Sequence, residues 1–169
     1  MILVINMYCI NTFLFYSIIG HFIENIFYTK IDSGILYGYW SCVYGIGALI
    51  ILVINYFICK KYKNKLFRPI MLFIFSFFIL SIFELVSGYI LEETFGRVFW
   101  NYSDDLFSIF KYTSLKMMFI WGFSSVLFIY VIHPYMNLII KNIPKLLNPL
   151  IVTLVHLKMA RHVKRYMIE

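Results

Sequence analysis

The sequence predicts an all-α polytopic membrane protein: four transmembrane helices forming two parallel-repeat hairpins, then a C-terminal amphipathic cytoplasmic helix. Three observations predict it. Mean hydropathy is +0.83, and only 14% of residues are charged against 62% hydrophobic, whereas soluble domains carry about 25% charge. Four apolar runs reach the roughly 20 residues that a spanning helix needs. Basic residues cluster in alternate connections, as the positive-inside rule requires. The 169 residues make one compact unit, with a four-helix transmembrane domain over 1–136 and a basic tail over 137–169.

The spans run from Asn11 to Thr29, Tyr39 to Cys59, Pro69 to Leu91 and Ser114 to Met136. Pro69 suits a first helical turn, where its missing N–H costs nothing. Pro134, near the end of the fourth span, should kink or stop it. No basic residue precedes Lys30, and no small-residue cleavage site follows. The N-terminus is therefore read as part of the first span rather than as a secretory signal.

Orientation follows from the charges. Lys60, Lys61, Lys63, Lys65 and Arg68 lie between the second and third spans, and Lys141, Lys145, Lys158, Arg161, Lys164 and Arg165 in the tail. Only Lys30, Arg97, Lys111 and Lys116 fall on the other side. Both termini are thus expected in the cytoplasm, in a plasma-membrane protein. The net charge of +7 reports this topology and not nucleic-acid binding. Leu146, Leu147, Leu150, Ile151, Leu154 and Val155 recur at helical spacing before a basic end. That pattern reads as a helix on the cytoplasmic leaflet, with a partner-docking helix and a short fifth membrane segment as the competing readings. The lipid bilayer is the first expected partner.

Each half of the chain carries one acid at membrane depth, Glu24 and Glu84. Ionisable groups there usually face a bundle interior or polar cavity and mark a functional path. Each has a glycine one turn away, Gly20 and Gly88, and each outer loop delivers a Trp and a Tyr: Trp40 with Tyr39, and Trp100 with Tyr102. This is a weak parallel repeat of the kind transporters use. Ser17, Gly20, His21 and Glu24 share one helical face, as do Ser41, Tyr44, Gly45 and Ala48; Ser81, Glu84 and Gly88; and Trp121, Ser124 and Ser125. Small residues permit close helix approach, so Gly20, Gly38, Gly45, Gly88 and Gly122 read as close-packing positions. The acids read instead as an outward-facing pocket that binds a solute or ion. His21, Tyr44, Trp121, Trp100 and Tyr102 would line it, the last two as a lid in the long 92–112 loop. An interfacial aromatic belt is the competing account of those two rings.

Cys9, Cys42 and Cys59 lack metal spacing, and GxxxxGK[ST] is absent. The sequence implies no cofactor, no metal and no catalytic set.

In order along the chain come Gly20-x3-Glu24, Leu36-Tyr37-Gly38, Val43-Tyr44-Gly45-x-Gly47-Ala48, Phe83-Glu84, Gly88-Tyr89-x-Leu91-Glu92, Phe95-Gly96, Phe99-Trp100-Asn101-Tyr102-Ser103 and Trp121-Gly122. From about Asn11 to Tyr135 the chain resembles the Putative ABC-transporter type IV family of small bacterial membrane proteins, the CmpB-type permeases. Some positions depart from that pattern. The family's usual WDYS reads Trp100-Asn101-Tyr102-Ser103 here, the Gly-Arg that usually follows reads Phe110-Lys111, and the proline-flanked stretch of the first outer loop is missing.

The resemblance implies a permease-like component of an ABC transporter. With no phosphate-cradling loop in this chain, an ATPase would be a separate subunit. A four-helix unit is small for a pathway, so a homodimer or a larger complex is expected. Two other classes stay open. One is a membrane-embedded enzyme acting on a lipid-linked substrate through Glu24 or Glu84, although no catalytic set favours an enzyme. The other is a non-transporting sensor or assembly subunit.

Overall fold

The computed structural model describes the backbone of residues 2–27 and 41–142, and the side chains of residues 8–23 and 41–140 within them. The Glu24 side chain, Gly38, the first outer loop and the tail beyond Asn142 lie outside the described residues.

Five helices and one hairpin are described: α1 (Ile2–Phe27), α2 (Cys42–Lys61), α3 (Phe67–Phe95), β1 (Ser108–Ile109), β2 (Thr113–Ser114), α4 (Leu115–Leu127) and α5 (His133–Asn142). Three helical stretches are long and apolar enough to cross a membrane: Cys42–Lys61, Phe67–Phe95 and the continuous Leu115–Ile140. Within α1 the described stretch Tyr8–Ile23 is apolar but shorter. The chain is thus a mostly helical membrane protein.

The described residues fall into two compact units. One contains α1, the first turns of α2 and the residues from Met136 onward; the other is Leu49–Tyr135. In the first unit a Cβ on Gly20 would run into the ring of Tyr44, and one on Gly45 into the Ser17 hydroxyl and the Phe13 carbonyl. The absence of these Cβ atoms lets the backbones of α1 and α2 approach closely. Tyr8 donates to Asn137 Oδ1 at 3.0 Å, and Thr12 to the Tyr8 carbonyl at 2.8 Å.

In the second unit α3 packs against α4. Leu72, Ser76, Leu80, Glu84 and Gly88 recur every fourth residue on the buried side of α3, with Ser81 beside them. The Phe73 ring lies 4.8 Å from that of Phe123, and the Phe77 ring 5.1 Å from that of Phe119. Gly122 makes room for this aromatic seam, since a Cβ there would sit 2.7 Å from the Phe73 ring. Ser81 and Ser125 donate to carbonyls four residues back in their own helices, at 2.6 and 2.8 Å. Ser125 is buried but Ser124 is exposed, so the fourth polar face is narrower than its sequence suggests.

The helix ends have local causes. Lys60 and Lys61 occupy the last turn of α2, where positive charge suits the helix dipole. Gly96, at φ 65°, ends α3 in the left-handed conformation, and its N–H donates to the Glu92 carbonyl at 2.8 Å. Glu92 therefore sits on the last turn of α3 rather than in a loop. Ser114 caps α4, its hydroxyl accepting from the Met117 N–H at 3.3 Å. Pro134 does not stop the fourth span. A π-helical stretch at Phe128–Ile132 precedes it, the His133 N–H donates to the Phe128 carbonyl five residues back, and the helix continues as α5. That extra residue per turn accommodates a proline ring that would collide with the carbonyl of Tyr130 in a regular helix.

Replacing Gly122 with leucine is expected to cost about 1–3 kcal/mol by overpacking against Phe73. Gly47→Ala, where a Cβ meets open space, should be neutral or stabilising by up to about 1 kcal/mol through helix propensity. Thermal unfolding of the two purified variants in detergent measures both.

Candidate functional site

The site is built on α3. Its 29 residues at 1.5 Å each span about 44 Å, which exceeds the ~30 Å hydrocarbon thickness. The last turn, with Glu92, can therefore project into the polar interface while Glu84 stays about two turns deeper. Glu84 is 3% exposed, on the face that α3 turns toward its neighbours. A buried carboxylate needs donors, and those here come largely from the connection between α3 and α4.

Residues 97–113 fold into an ordered lid. Trp100 Nε1 donates to the Tyr112 carbonyl at 2.9 Å, and the Tyr102 N–H to the Lys111 carbonyl at 2.8 Å. The segment 100–102 thus lies alongside 111–112. β1 and β2 pair antiparallel, with Ser108 opposite Ser114 and Ile109 opposite Thr113. The turn between them closes by the Tyr112 N–H donating to the Ile109 carbonyl at 3.2 Å, and its central residues Phe110 and Lys111 have φ of 49° and 62°. Mirror-image hairpin turns need positive φ at both places and favour Asn-Gly.

This register delivers two hydroxyls to one carboxylate. Thr113 Oγ1 donates to Glu84 Oε2 at 2.7 Å, and the Tyr102 hydroxyl to Oε1 at 3.2 Å. The Trp121 indole nitrogen on α4 is buried and directed at the same group. One turn along α3, a Cβ on Gly88 would sit 2.7 Å from the Tyr112 ring, so the lid rests directly on helix backbone there. A second, more exposed contact follows at Glu92, which accepts from Lys111 Nζ at 2.8 Å and the Tyr112 hydroxyl at 2.7 Å. The Glu92 carboxylate raises the pKa of both groups through these hydrogen bonds. A third contact joins the lid to α4: Ser114 donates to Asp105 Oδ2 at 2.9 Å, and Lys116 lies 3.5 Å from Oδ1.

The structure brings together Glu84, Tyr102 and Trp121, with Trp100 bracing the lid from behind. Tyr44 and His21 lie in the other unit, Tyr44 against Gly20 and the His21 ring edge-on to Phe22 at 6.1 Å. Asn101 explains one departure from the family pattern. Its Oδ1 accepts from the Ser103 N–H at 2.9 Å and the Ser103 hydroxyl at 2.6 Å. A side-chain oxygen suffices for such an Asx turn, whether amide or acid carries it. Thr113 escaped sequence reasoning, and its one signal was the Thr-Ser pair before the fourth apolar run, a helix-start pattern.

Helices long and apolar enough to span, with a carboxylate buried in one of them under an ordered loop, define a mostly helical integral membrane protein. Within that class the chain belongs to the Putative ABC-transporter type IV family, whose model matches residues 11–163. The match includes most of the tail as well as the spans. No curated protein and no solved structure matches the chain. The family and the apolar helices together fit a membrane transport component.

Thr113→Val, which strips one donor from the buried carboxylate, should lower stability by about 1–3 kcal/mol. In a Glu84→Gln background the same change should cost distinctly less, because the unpaired charge is gone. A double-mutant cycle on thermal unfolding, with hydrogen exchange of residues 97–113, reads the coupling.

Proposed function

We propose that this chain is a permease-like subunit that binds or passes a small solute or ion through an outward-facing acidic pocket. The observation that carries the reading is Glu84, a carboxylate buried in a spanning helix and hydrogen-bonded by Tyr102 and Thr113. Glu84 would bind a cation or relay a proton, and Trp100 and Tyr102 would gate it. Glu24, with His21 and Tyr44, would supply the corresponding groups of the first hairpin.

In this reading α1 is the first of four spans, and the two hairpins are parallel repeats. Eleven of the basic residues lie in the Lys60–Arg68 connection and the tail, which supports cytoplasmic termini in the plasma membrane. The lid then faces outward. An ATPase would be a separate chain meeting the basic cytoplasmic face, and a second copy of this subunit would complete a pathway too large for one.

One observation favours a second reading, that of a non-transporting assembly subunit. Both oxygens of Glu84 already have donors from the lid, so the acid can serve as a structural staple with no cargo.

Flux into proteoliposomes separates the two, read with entrapped pyranine for protons and a thallium-sensitive dye for monovalent cations. Transport predicts that Glu84→Gln lowers flux by about tenfold or more, the scale of one lost charge-assisted hydrogen bond, while the protein still folds. A wild-type chain that moves neither probe, alone or with a co-purifying ATPase, and whose Glu84→Gln variant only melts earlier, supports the staple.

A further inference from the structure

We propose that the apolar stretch Leu106–Phe110, which runs through β1 into the tip of the hairpin, is seated in the lipid interface at its end of the helices, so that the loop over Glu84 is itself a bilayer-contacting element. This needs only α3 and α4 to span the membrane and stands whether or not Glu84 carries a cargo.

The tip is apolar and uncovered. Leu106, Phe107 and Phe110 are 78%, 71% and 79% exposed, and Ile109 is 39% exposed. Four large apolar side chains within five residues form a surface that water disfavours. They cannot fold back onto the chain. The opposite edge of the hairpin is held by Thr113 and Tyr102 on Glu84, by Lys111 on Glu92 and by Ser114 on Asp105. The backbone points the same way. Phe107 and Phe110 adopt φ of 54° and 49°, a region that disfavours any residue with a Cβ. Neither ring gains burial within the chain by doing so.

Continuity says what covers this surface. A groove of about 400 Å³ is lined by Phe107, Ser108 and Ile109 of the tip and by Leu115 and Met118 of the first turn of α4. Along α4 the apolar surface runs on through Phe119, Ile120 and Phe123, all exposed on a helix apolar enough to span. The tip and the lipid-facing side of the span are therefore one surface. Chain length keeps them together, since Phe110 is five residues from Leu115 and so at most about 17 Å from it. Aromatic and aliphatic side chains at that level partition into the headgroup and upper acyl region.

The test uses the full chain in phosphatidylcholine–phosphatidylglycerol vesicles, with Cys9, Cys42 and Cys59 replaced by alanine. Leu106→Cys and Phe110→Cys are labelled with the NBD fluorophore, and Asn101→Cys and Lys65→Cys serve as exposed polar controls. At the tip, the expected result is blue-shifted emission, quenched by acyl-chain-brominated lipid and spared by aqueous iodide, with the opposite at the controls. Iodide quenching at the tip as strong as at Asn101, or protection that appears only when a partner protein is added, would overturn the proposal. A second measurement leaves the native sequence intact. A lipid carrying a diazirine on its acyl chain should label peptides containing residues 106–110 on illumination, and labelling confined to the helices would refute the idea independently of any variant.

Discussion

A carboxylate placed inside a spanning helix must find hydrogen-bond donors, and at Glu84 they arrive from residues 18 and 29 positions further along the chain. That requirement organises the second unit. Leaving a charged group buried without partners costs several kcal/mol, more than any single contact elsewhere in the lid supplies. Tyr102 and Thr113 reach it only if the segment 100–102 runs beside 111–112 and β1 pairs with β2 in the observed register. A slip of one residue would turn Thr113 to the other face of the hairpin, away from the acid.

The other lid contacts rank below this one. The Lys111–Glu92 pair looks strong at 2.8 Å, but its side chains are 34% and 27% exposed. Pairs so open to solvent are screened by water and contribute little. Tyr112 matters more, because three things converge on it. Its carbonyl takes the Trp100 indole, its hydroxyl meets Glu92, and its ring lies against Gly88. Gly88 thus acts through the absence of a side chain: without a Cβ, the lid can sit on the backbone of α3 one turn beyond the acid it covers.

What was legible in the sequence was whatever rests on hydropathy or on the high cost of burying charge. The second, third and fourth apolar runs became helices within a few residues of their expected ends, and Glu84 stood out as an acid with no place in lipid. Tyr102, singled out with Glu84 in the sequence, does meet it through a hydrogen bond. The hairpin was not readable, since Phe110-Lys111 carries none of the Asn-Gly chemistry that announces a mirror-image turn. Thr113 was hidden for a related reason, because its role depends on a pairing that spacing alone cannot register. Pro134 was visible, but its consequence was not, since a proline in a long helix can be met by a break, a kink or an inserted residue. Here the inserted residue prevails, and the span continues.

The chemistry around Glu84 also constrains what a cargo would have to be. Anything reaching the acid competes with two hydroxyls, at 2.7 and 3.2 Å, and with an indole aimed at the same oxygens. A neutral solute would exchange one set of neutral donors for another and gain little. A cation or a proton brings charge to a poorly solvated carboxylate, where the electrostatic attraction is far larger than in water. In the transport reading, the site therefore favours a positive species over a polar neutral one. Release of the lid would also move the hairpin tip. If Phe107 and Phe110 lie in lipid, lifting them into water opposes opening by about 1.5–3 kcal/mol per fully exposed ring. The closed state would then be held from two sides, by the carboxylate within and by the bilayer without, and a thinner or more fluid membrane would shift only the second.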